Sequence, residues 1–471
     1  MPAFSFFGNR YPVYFLMSSS FSNNLASQER QAAISLAVIY AFRMLGLFMI
    51  LPVFALYAEH LPGATPFLMG LALGAYGLTQ ALLQIPFGMW SDRIGRKPVI
   101  FIGLLIFVAG SLIAGSAESI EGIILGRAIQ GGGAIAAALM ALAADLSREE
   151  HRTKMMALIG ISIGASFAIS MVSGPIVNDW IGISGIFYGT AILAVVGMVI
   201  LYFFVPDPPS SHFHRDAEVE TGSLLSVLKN TQLLRLDFGI LILHFVLMCV
   251  FLVLPLVLQN NLGFESHQHW KIYLPVFVLS IITMVPFIII GERKQAMKPV
   301  FVGAVACMIV AVVLFMQTPV LWLTILALVI FFTGINLLEA SLPSLITKTA
   351  PATQKGTAMG VYSSSQFFGA FAGGAVGGLA HQYWGDQGVY YTVLVALGFW
   401  LILAVTMKKP LHLTTYLLNV KDVSVEQLLA VKGVVEATLI DDENEAGLVA
   451  YLKVKKRILD EEKLLSLASS N

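Results

Sequence analysis

Three ionisable residues, Arg43, Arg127 and Glu339, lie deep inside long apolar stretches of this sequence. A charge is costly in apolar surroundings unless it is paired or faces water, so each residue marks a candidate functional position. Arg43 could bind an anionic group or pair with Glu339, or it could serve packing alone by binding backbone carbonyls. Glu339 could take up and release a proton, because burial favours its neutral form and a nearby cation its charged form, or it could form a fixed salt bridge.

Neutral amides recur in the same apolar stretches and could line a polar pathway. They are Gln80, Gln84, Gln130, Asn336 and Gln366. A mostly apolar cavity with scattered amides suits neutral or lipophilic solutes better than sugars or phosphates. Each amide could instead form a hydrogen bond between helices. His244 is a weaker candidate, since a lone histidine in a helix is more often a packing residue.

The segment 88–97, GMWSDRIGRK, concentrates glycine and charge between two apolar stretches. Gly88 and Gly95 allow close packing and a tight turn. A carboxylate such as Asp92 is stabilised at a helix N-terminus by about 0.3–1 kcal/mol. Arg96 could form a charge cluster with Asp145, which ends a later apolar stretch. The segment also carries Arg93 and Lys97. All the charged residues named here could instead be ordinary charges at a membrane surface.

The elements that position these residues are long enough to cross a lipid bilayer. Of the 471 residues, 57% are hydrophobic and 12% are charged, whereas soluble domains carry about 25% charged residues. A bilayer crossing needs about 20 mostly apolar residues. The apolar stretches that meet this need are numbered here as spans 1 to 12: 35–58, 66–90, 98–117, 121–145, 155–177, 185–206, 236–260, 272–290, 299–316, 320–347, 353–380 and 387–407. The sequence therefore predicts an all-α membrane protein of twelve helices.

Lysine and arginine collect in alternate loops between the spans. One set of loops contains Arg93, Arg96, Lys97, Arg148, Arg152, Lys154, Arg215, Lys229, Arg235, Arg293, Lys294, Lys298, Lys348 and Lys355. The other set contains only Lys271, at a helix edge. Cytoplasmic loops carry the excess of positive charge. This distribution predicts a multi-pass protein with both termini in the cytoplasm.

The chain contains an internal repeat about 200 residues apart. The segment PFGMWSDRIGRKPVIFIG, from Pro86, aligns with PFIIIGERKQAMKPVFVG, from Pro286. Two related six-helix halves are typical of secondary transporters. Composition then divides the chain into a cytoplasmic N-terminal tail at 1–34 and two six-helix bundles at 35–206 and 236–409. A polar linker at 207–235, with a short amphipathic helix at its end, joins the bundles, and a soluble domain follows at 411–471. Residues 1–16 do not form a convincing signal peptide, and translation is expected to start at Met17.

Two motifs make the sequence resemble the major facilitator superfamily. Segment 88–97 resembles the superfamily's G-x-x-x-D-R-x-G-R-K loop, and Arg127-Ala-Ile-Gln130-Gly131 resembles its R-x-x-Q-G motif. Gly174-Pro175 resembles the start of the antiporter motif G-P-x-x-G-G, with Asn178 and Asp179 in place of its last glycines. Residues 411–471 resemble the cytoplasmic domain of YajR-like transporters, within the drug:proton antiporter group.

This resemblance implies twelve helices around a central cavity that opens alternately to either side of the inner membrane. It implies that Asp92 approaches the start of span 11, near Gly356, and latches the two halves together while the cavity opens outward. Gly88, Arg93, Gly95, Arg96, Lys97 and Asp145 belong to the same latch. It further implies that Arg127 shapes proton coupling or stabilises the cavity.

The segment 411–471 departs from the rest of the chain in composition. It predicts the order β-α-β-β-α, a small ferredoxin-like α+β unit without a long final strand. It resembles heavy-metal-associated domains but contains no cysteine, so thiolate chemistry is excluded. Regulation, ion sensing, self-association and passive stabilisation all remain open for this domain.

The leading functional hypothesis is a secondary active transporter that exports a small molecule in exchange for protons. A uniporter, a symporter or a membrane sensor that signals through the soluble domain are the alternatives. An enzyme is disfavoured, because the sequence shows no P-loop, metal-ligand cluster or nucleophile–base pair. The zero net charge argues against nucleic-acid binding, and Cys249 and Cys307 give no disulfide framework or metal site. No cofactor is expected, and the protein is expected to be a monomer in the bilayer.

Overall fold

The computed structural model describes most of the chain. The described residues are 27–147, 149–207, 221–294, 296–317, 320–351, 354–408, 414–420, 423–442, 447–455 and 458–469. The expected translation start at Met17 and the basic residues Arg148 and Arg215 lie outside these ranges.

The described chain forms ten helices that are long and apolar enough to cross a membrane. Two of them, Glu149–Phe203 and Lys355–Thr406, would be about 80 Å long if straight, far more than the ~30 Å of a bilayer core. Each is interrupted by one glycine with positive φ, Gly182 at 67° and Gly385 at 61°. Because that conformation ends a helix, each element holds two spans, and the twelve predicted crossings are confirmed.

The bounds of the helices are as follows: span 1 Ser27–Phe48, span 2 Pro66–Ile94, span 3 Arg96–Ser116, span 4 Ile120–Gly132 with Ala136–Asp145, spans 5 and 6 within Glu149–Phe203, span 7 Thr231–Leu256, span 8 Trp270–Arg293, span 9 Met297–Phe315, span 10 Leu321–Thr349, and spans 11 and 12 within Lys355–Thr406. A short helix, Phe54–Ala58, follows span 1, and another, Thr221–Lys229, precedes span 7.

Several helices begin before the apolar stretch that predicts them. Span 1 begins at Ser27, inside the expected tail 1–34, and span 7 begins at Thr231, inside the expected linker 207–235. Span 7 starts there because the Asn230 side chain accepts hydrogen bonds from the backbone N–H groups of Gln232 and Leu233, at 3.0 and 3.3 Å. Capping therefore sets the helix start, whereas hydropathy marks only the part that lies in lipid.

The internal repeat occupies equivalent places in the two halves. Pro86 lies inside the helix of span 2 and Pro286 inside the helix of span 8. Each helix ends shortly after its proline, and spans 3 and 9 start at Arg96 and Met297. The loops with most of the positive charge are at the same end of the spans, named here the basic face; the other end is the opposite face.

Span 11 lies between the two halves, in contact with span 2 on one side and span 7 on the other. A Cβ atom added to Gly374 would collide with the carbonyl oxygen of Gly70 in span 2. One added to Gly369 or Gly373 would collide with the carbonyl oxygens of Leu241 or Phe245 in span 7. Small residues thus let the helix backbones touch on both sides, as is common in membrane helix packing.

The contacts between the halves described here lie at the opposite face and near mid-membrane. The backbone N–H of Phe67 donates to the Gln382 amide oxygen at 3.3 Å. The rings of Tyr76 and Phe367 are 6.2 Å apart. Phe167 of span 5 lies 5.6 Å from Phe277 of span 8, ring centroid to ring centroid.

The C-terminal segment has the predicted β-α-β-β-α order. Its strands are β1 Thr414–Val420, β2 Val434–Asp442 and β3 Gly447–Val454, and its helices are Val425–Leu429 and Glu461–Ser469. The sheet is antiparallel with β3 between β1 and β2, which is the ferredoxin-like arrangement without its last strand. Leu428, Leu452 and Leu464 contribute to a separate small core.

Candidate functional site

Two buried arginines flank one aromatic ring in the first half. Arg43 of span 1 and Arg127 of span 4 are 2% and 0% exposed. Their guanidinium carbons lie 5.9 and 5.0 Å from the centroid of the Tyr76 ring in span 2. This distance is within the range of a cation–π interaction, so Tyr76 stabilises both cations at once. We name Arg43, Tyr76 and Arg127 the arginine cluster.

Hydrogen bonds from neutral groups complete the arginine cluster. Arg43 donates to the Gln80 side-chain oxygen at 2.5 Å and to the Gly133 carbonyl at 3.0 Å. That carbonyl is accessible because span 4 is broken between Gly132 and Ala136. Arg127 donates to the Gln130 side-chain oxygen at 2.7 Å. Among the described residues, no carboxylate forms an ion pair with either arginine, so the cluster retains net positive charge.

The second half holds a carboxylate inside one of its spans. Glu339 of span 10 accepts a hydrogen bond from the Gln366 side-chain nitrogen of span 11 at 3.2 Å. The same nitrogen lies 2.9 Å from the Nε2 atom of His244 in span 7. His244 is 8% exposed, and its other ring nitrogen lies 3.3 Å from the Ile240 carbonyl. We name Glu339, Gln366 and His244 the carboxylate cluster.

The structure does not bring Arg43 and Glu339 together, since each has the partners given above in its own half. The amides also differ from the expectation of a polar cavity lining. Gln80, Gln84 and Gln130 are 0–3% exposed, because they satisfy arginine N–H groups and one another. Gln80 donates to Gln84 at 2.7 Å, and Gln130 donates to the Ser111 hydroxyl at 2.9 Å. These three glutamines therefore form hydrogen bonds within and between helices and do not line a cavity.

Asn336 lies on the same helix as Glu339 but outside the carboxylate cluster. Its side-chain nitrogen donates to the Ser280 hydroxyl of span 8 at 3.1 Å. Asn336 and Gln366 are only half-buried. Of the predicted amides, these two are therefore the ones that can still meet a solute.

The charged segment 88–97 turns between spans 2 and 3 at the basic face. Gly95 has φ +97°, which L side chains rarely adopt, and so it forms the turn. Arg96 is 2% exposed and forms ion pairs with Asp92 and with Asp145, the latter at 3.2 Å. Lys97 forms an ion pair with Asp207 at 2.7 Å. The Arg96–Asp145 cluster expected from the sequence is present.

The other members of this segment differ in environment. Gly88 packs against span 4, where an added Cβ would lie 3.2 Å from the Ala137 Cβ. Arg93 is exposed to solvent. Asp92 binds Arg96, and its expected contact with the start of span 11 stays a prediction. Its partner in the repeat, Glu292, has no described side chain, and Arg293 is exposed.

Sequence reasoning missed Tyr76, Tyr362 and Asp237. Tyr76 was overlooked because tyrosine is common in membrane helices and carries no charge. Tyr76 lies three residues before Thr79 and four before Gln80 on span 2, and residues so spaced share a helix face. This spacing could have indicated that Tyr76 belongs to the same polar face as Gln80. Asp237 lies inside the predicted span 236–260, one residue from its start, and it was overlooked because a charge at the end of a span resembles one at the membrane surface. The described residues contain no group of three His, Cys, Asp or Glu side chains that could hold a metal ion.

Comparison with known proteins gives the same architecture. The inner membrane transport protein YajR of Escherichia coli K12 is 44% identical over 437 residues, which cover 91% of this chain and 95% of that protein. A bacterial homologue of the human lysosomal transporter Spinster, solved inward-facing and unoccupied, has a TM-score of 0.63 at 13% identity and covers 82% of this chain and 98% of its own. The human organic anion transporter MFSD10 has a TM-score of 0.61 at 18% identity and covers 80% of this chain and 100% of its own.

These relatives are transporters and not enzymes. The YajR protein matches this chain over the membrane spans and the C-terminal segment together, which agrees with the observed sheet after span 12. Residues 36–374 match the sequence profile of the Major Facilitator Superfamily. The chain therefore belongs to the major facilitator superfamily of membrane transporters.

Proposed function

We propose that this transporter exports a small molecule across the inner membrane in exchange for protons, with Glu339 as a proton-binding group. The observation that carries the proposal is the carboxylate cluster. Glu339 has a neutral amide as its hydrogen-bond partner, and no cation of the described residues forms an ion pair with it. A carboxylate without a cationic partner inside a membrane gains by binding a proton.

The opposite charge of the two halves supports exchange. The first half buries two guanidinium groups, and the second half holds Glu339 inside span 10. When Glu339 is ionised, the halves attract each other across the pathway; when it is protonated, that attraction is lost. Proton binding therefore biases the equilibrium between two arrangements of the halves, which is the requirement for coupling.

The basic face is proposed to be cytoplasmic, with both termini on that side, because the positive loops lie there. The described contacts between the halves lie at the opposite face and mid-membrane. The arrangement thus corresponds to a pathway closed toward the outside. In the outward-open arrangement, Asp92 would meet the start of span 11 and, with Arg96 and Asp145, latch the basic face.

A neutral or lipophilic solute suits the pathway best. Asn336 and Gln366 supply a few hydrogen-bonding groups among apolar neighbours. An anionic group bound by Arg43 is the alternative, and its cost is the displacement of Gln80 from the guanidinium group. We propose that one chain suffices for transport, because both halves of the pathway come from the same polypeptide.

Reconstitution tests the proposal. A ligand-stabilisation screen of neutral and anionic lipophilic compounds supplies a transported compound, and its flux is then measured in liposomes with and without a pH gradient. We expect the gradient to accelerate flux for the wild type. Glu339→Gln keeps the hydrogen-bonding shape but cannot ionise, and should lose the response to the gradient.

Glu59→Gln makes the same chemical change at an exposed position on the opposite face, and it should behave as the wild type. A Glu339→Gln protein that still responds fully to the pH gradient would exclude Glu339 as the coupling group. A wild-type flux that ignores the gradient would favour a uniporter.

A membrane sensor is the second candidate, and one contact favours it. Lys453 of the C-terminal sheet is 8% exposed, and its Nζ atom donates to the Ala350 carbonyl, at the end of span 10, at 2.6 Å. The soluble domain is therefore attached to the helix that carries Glu339. If the compound found by stabilisation is bound without being transported, the sensor hypothesis gains and export is excluded.

A further inference from the structure

Asp237 is a buried carboxylate that takes no part in the interactions described so far. It lies in span 7, and 4% of its surface is exposed. Among the residues that the structure describes, none forms a hydrogen bond with either of its carboxylate oxygens, and none forms an ion pair with it. The side chain of Asp145 is also buried, at the basic face, but its carboxylate is paired with Arg96.

An ionised carboxylate in this setting is strongly disfavoured. Removing a charge from water costs several kcal/mol unless hydrogen bonds or a counter-ion compensate. A neutral, protonated carboxyl group removes most of that cost. Asp237 therefore has a physical reason to hold a proton that Asp145 does not have.

The position of Asp237 relates it to the carboxylate cluster. Asp237 and His244 are seven residues apart and share one face of span 7, about 10 Å apart along the helix axis. Asp237 follows the start of span 7 at Thr231 by about 9 Å. It thus lies between the basic face and the depth at which His244 contacts Gln366.

Tyr362 lies on span 11, which packs against span 7 with Gly369 beside Leu241 and Gly373 beside Phe245. This register places Tyr362 within about one helical turn of the level of Asp237. Its hydroxyl has no hydrogen-bond partner among the described residues, and the residue is 3% exposed. Tyr362 and Gln366 are four residues apart and share one face of span 11. The phenol is therefore one helical turn nearer the basic face than the cluster.

We propose that Asp237 is a second proton-binding site, which passes protons between the basic face and Glu339 through the Tyr362 hydroxyl. In each transfer, the O–H bond of protonated Asp237 breaks and an O–H bond forms on the Glu339 carboxylate. The Tyr362 hydroxyl accepts one proton and releases another, so it is unchanged, and no electrons are exchanged. This inference rests on the proposed role of Glu339 in proton coupling.

The elements that pack against span 7 carry few charged or titratable groups near the level of Asp237. Span 11 carries Tyr362, and span 10 carries Glu339. On span 7 itself, Arg235 is two residues away and projects to another side of the helix. Span 12 contributes Trp400, which is neutral and packs near Gly239. Lys229, on the helix before span 7, is exposed to solvent.

Infrared difference spectroscopy tests the inference without any transported compound, since the proton is the ligand. The full-length protein in phospholipid vesicles is titrated with pH, and the carbonyl stretch of protonated carboxyl groups is followed. We expect Asp237→Asn and Glu339→Gln each to remove a different component of the wild-type signal. Asp179→Asn makes the same change at an exposed aspartate and should leave the signal unchanged.

A rapid pH jump then tests the transfer. In Asp237→Asn, protonation of Glu339 should be slower by about a hundredfold, the lower range for a positioned proton-transfer group. Asp237→Glu should restore most of the rate, and thermal unfolding should confirm that all variants are folded. If Asp237→Asn has the wild-type spectrum, or if Glu339 is protonated at the wild-type rate in that variant, the relay is excluded while proton coupling at Glu339 stands. If the wild type lacks a Glu339 component, the proposed coupling fails and the relay fails with it.

Discussion

Tyr76 lies between two guanidinium groups that have no carboxylate partner among the described residues. Its ring contributes to the stability of both arginines, whereas its hydroxyl forms no hydrogen bond within the described part of the chain. The aromatic face, and not the polar end, is therefore the functional part of this side chain. The pair of substitutions below separates the two.

Tyr76→Leu should destabilise the protein by about 2 kcal/mol, because two desolvated cation–π interactions are lost. Tyr76→Phe keeps the ring and removes a buried hydroxyl without a partner, so its stability should equal or exceed that of the wild type. Thermal unfolding in detergent measures both. Equal destabilisation by the two substitutions would mean that the hydroxyl has a partner and that the ring stacking is unimportant.

Asp92→Asn tests the proposed latch at the basic face. The substitution removes the charge that would meet the N-terminal end of span 11, which should shift the equilibrium toward an open basic face by up to about fivefold. Spin labels at the exposed Tyr202 and Lys294 report the separation of the halves there. Asp179→Asn is the control, and an unchanged distance distribution in Asp92→Asn would exclude the latch.

Which residues are buried charges could be predicted from the sequence, but their partners could not. Arg43, Arg127 and Glu339 stand out because charges are rare in apolar stretches. Pairing depends on helix rotation, and a difference of one residue turns a side chain by about 100°. The sequence therefore left a bond from Arg43 to Glu339 open, whereas rotation of span 1 directs Arg43 to Gln80 and to the break in span 4.

Among the helices, span 11 is distinctive because it has glycines on two sides. Gly369 and Gly373 allow contact with span 7, in the same half, and Gly374 allows contact with span 2, in the other half. The first contact holds the second bundle together. The second must separate if the opposite face is to open, and apolar contacts without side chains on either helix can separate without breaking hydrogen bonds.

Gly374→Leu should force spans 2 and 11 apart at the opposite face, because the added side chain would occupy the place of the Gly70 carbonyl. We expect the population open at that face to become dominant. Spin labels at Trp180 and Trp384, which are 77% and 71% exposed, measure the distance. Gly189→Leu is the control, since an added Cβ there meets no atom within 4 Å, and a Gly374→Leu protein with wild-type distances would contradict the prediction.

The number of spans and their pairing into halves could be predicted because hydrophobicity and the repeat at Pro86 and Pro286 are local signals. The start of span 7 could not be predicted, because Asn230 caps it through hydrogen bonds outside the apolar stretch. The chain reversals at Gly182 and Gly385 could not be predicted either. Hydropathy shows a gap between spans 5 and 6, but it does not show that Gly182 alone turns the chain.

For the whole molecule, the contact between Lys453 and Ala350 joins the soluble domain to span 10. The ammonium group lies at the C-terminal end of a long helix, where the helix dipole favours a cation. Glu436 of β2 forms an ion pair with the same ammonium group at 3.0 Å. The soluble domain is therefore in direct contact with the end of this helix.

Lys453→Ala should release the domain from span 10. A partly buried cation at a helix C-terminus contributes about 1–2 kcal/mol, so amide hydrogen exchange near Ala350 and along β3 should speed up by about tenfold. Lys455→Ala changes an exposed lysine two residues away and should have little effect. Equal exchange in the two variants would show that the domain is held by other contacts.

Gly182 and Gly385 each reverse the chain on the opposite face within a single residue. Such hairpins leave little polypeptide protruding for an antibody, a protease or an inserted affinity tag to engage. Reagents directed at that side of the cell must instead target longer connections, such as residues 59–65 between spans 1 and 2. Fiducial domains for imaging are better fused at the basic face, where the C-terminal sheet already provides a folded attachment point.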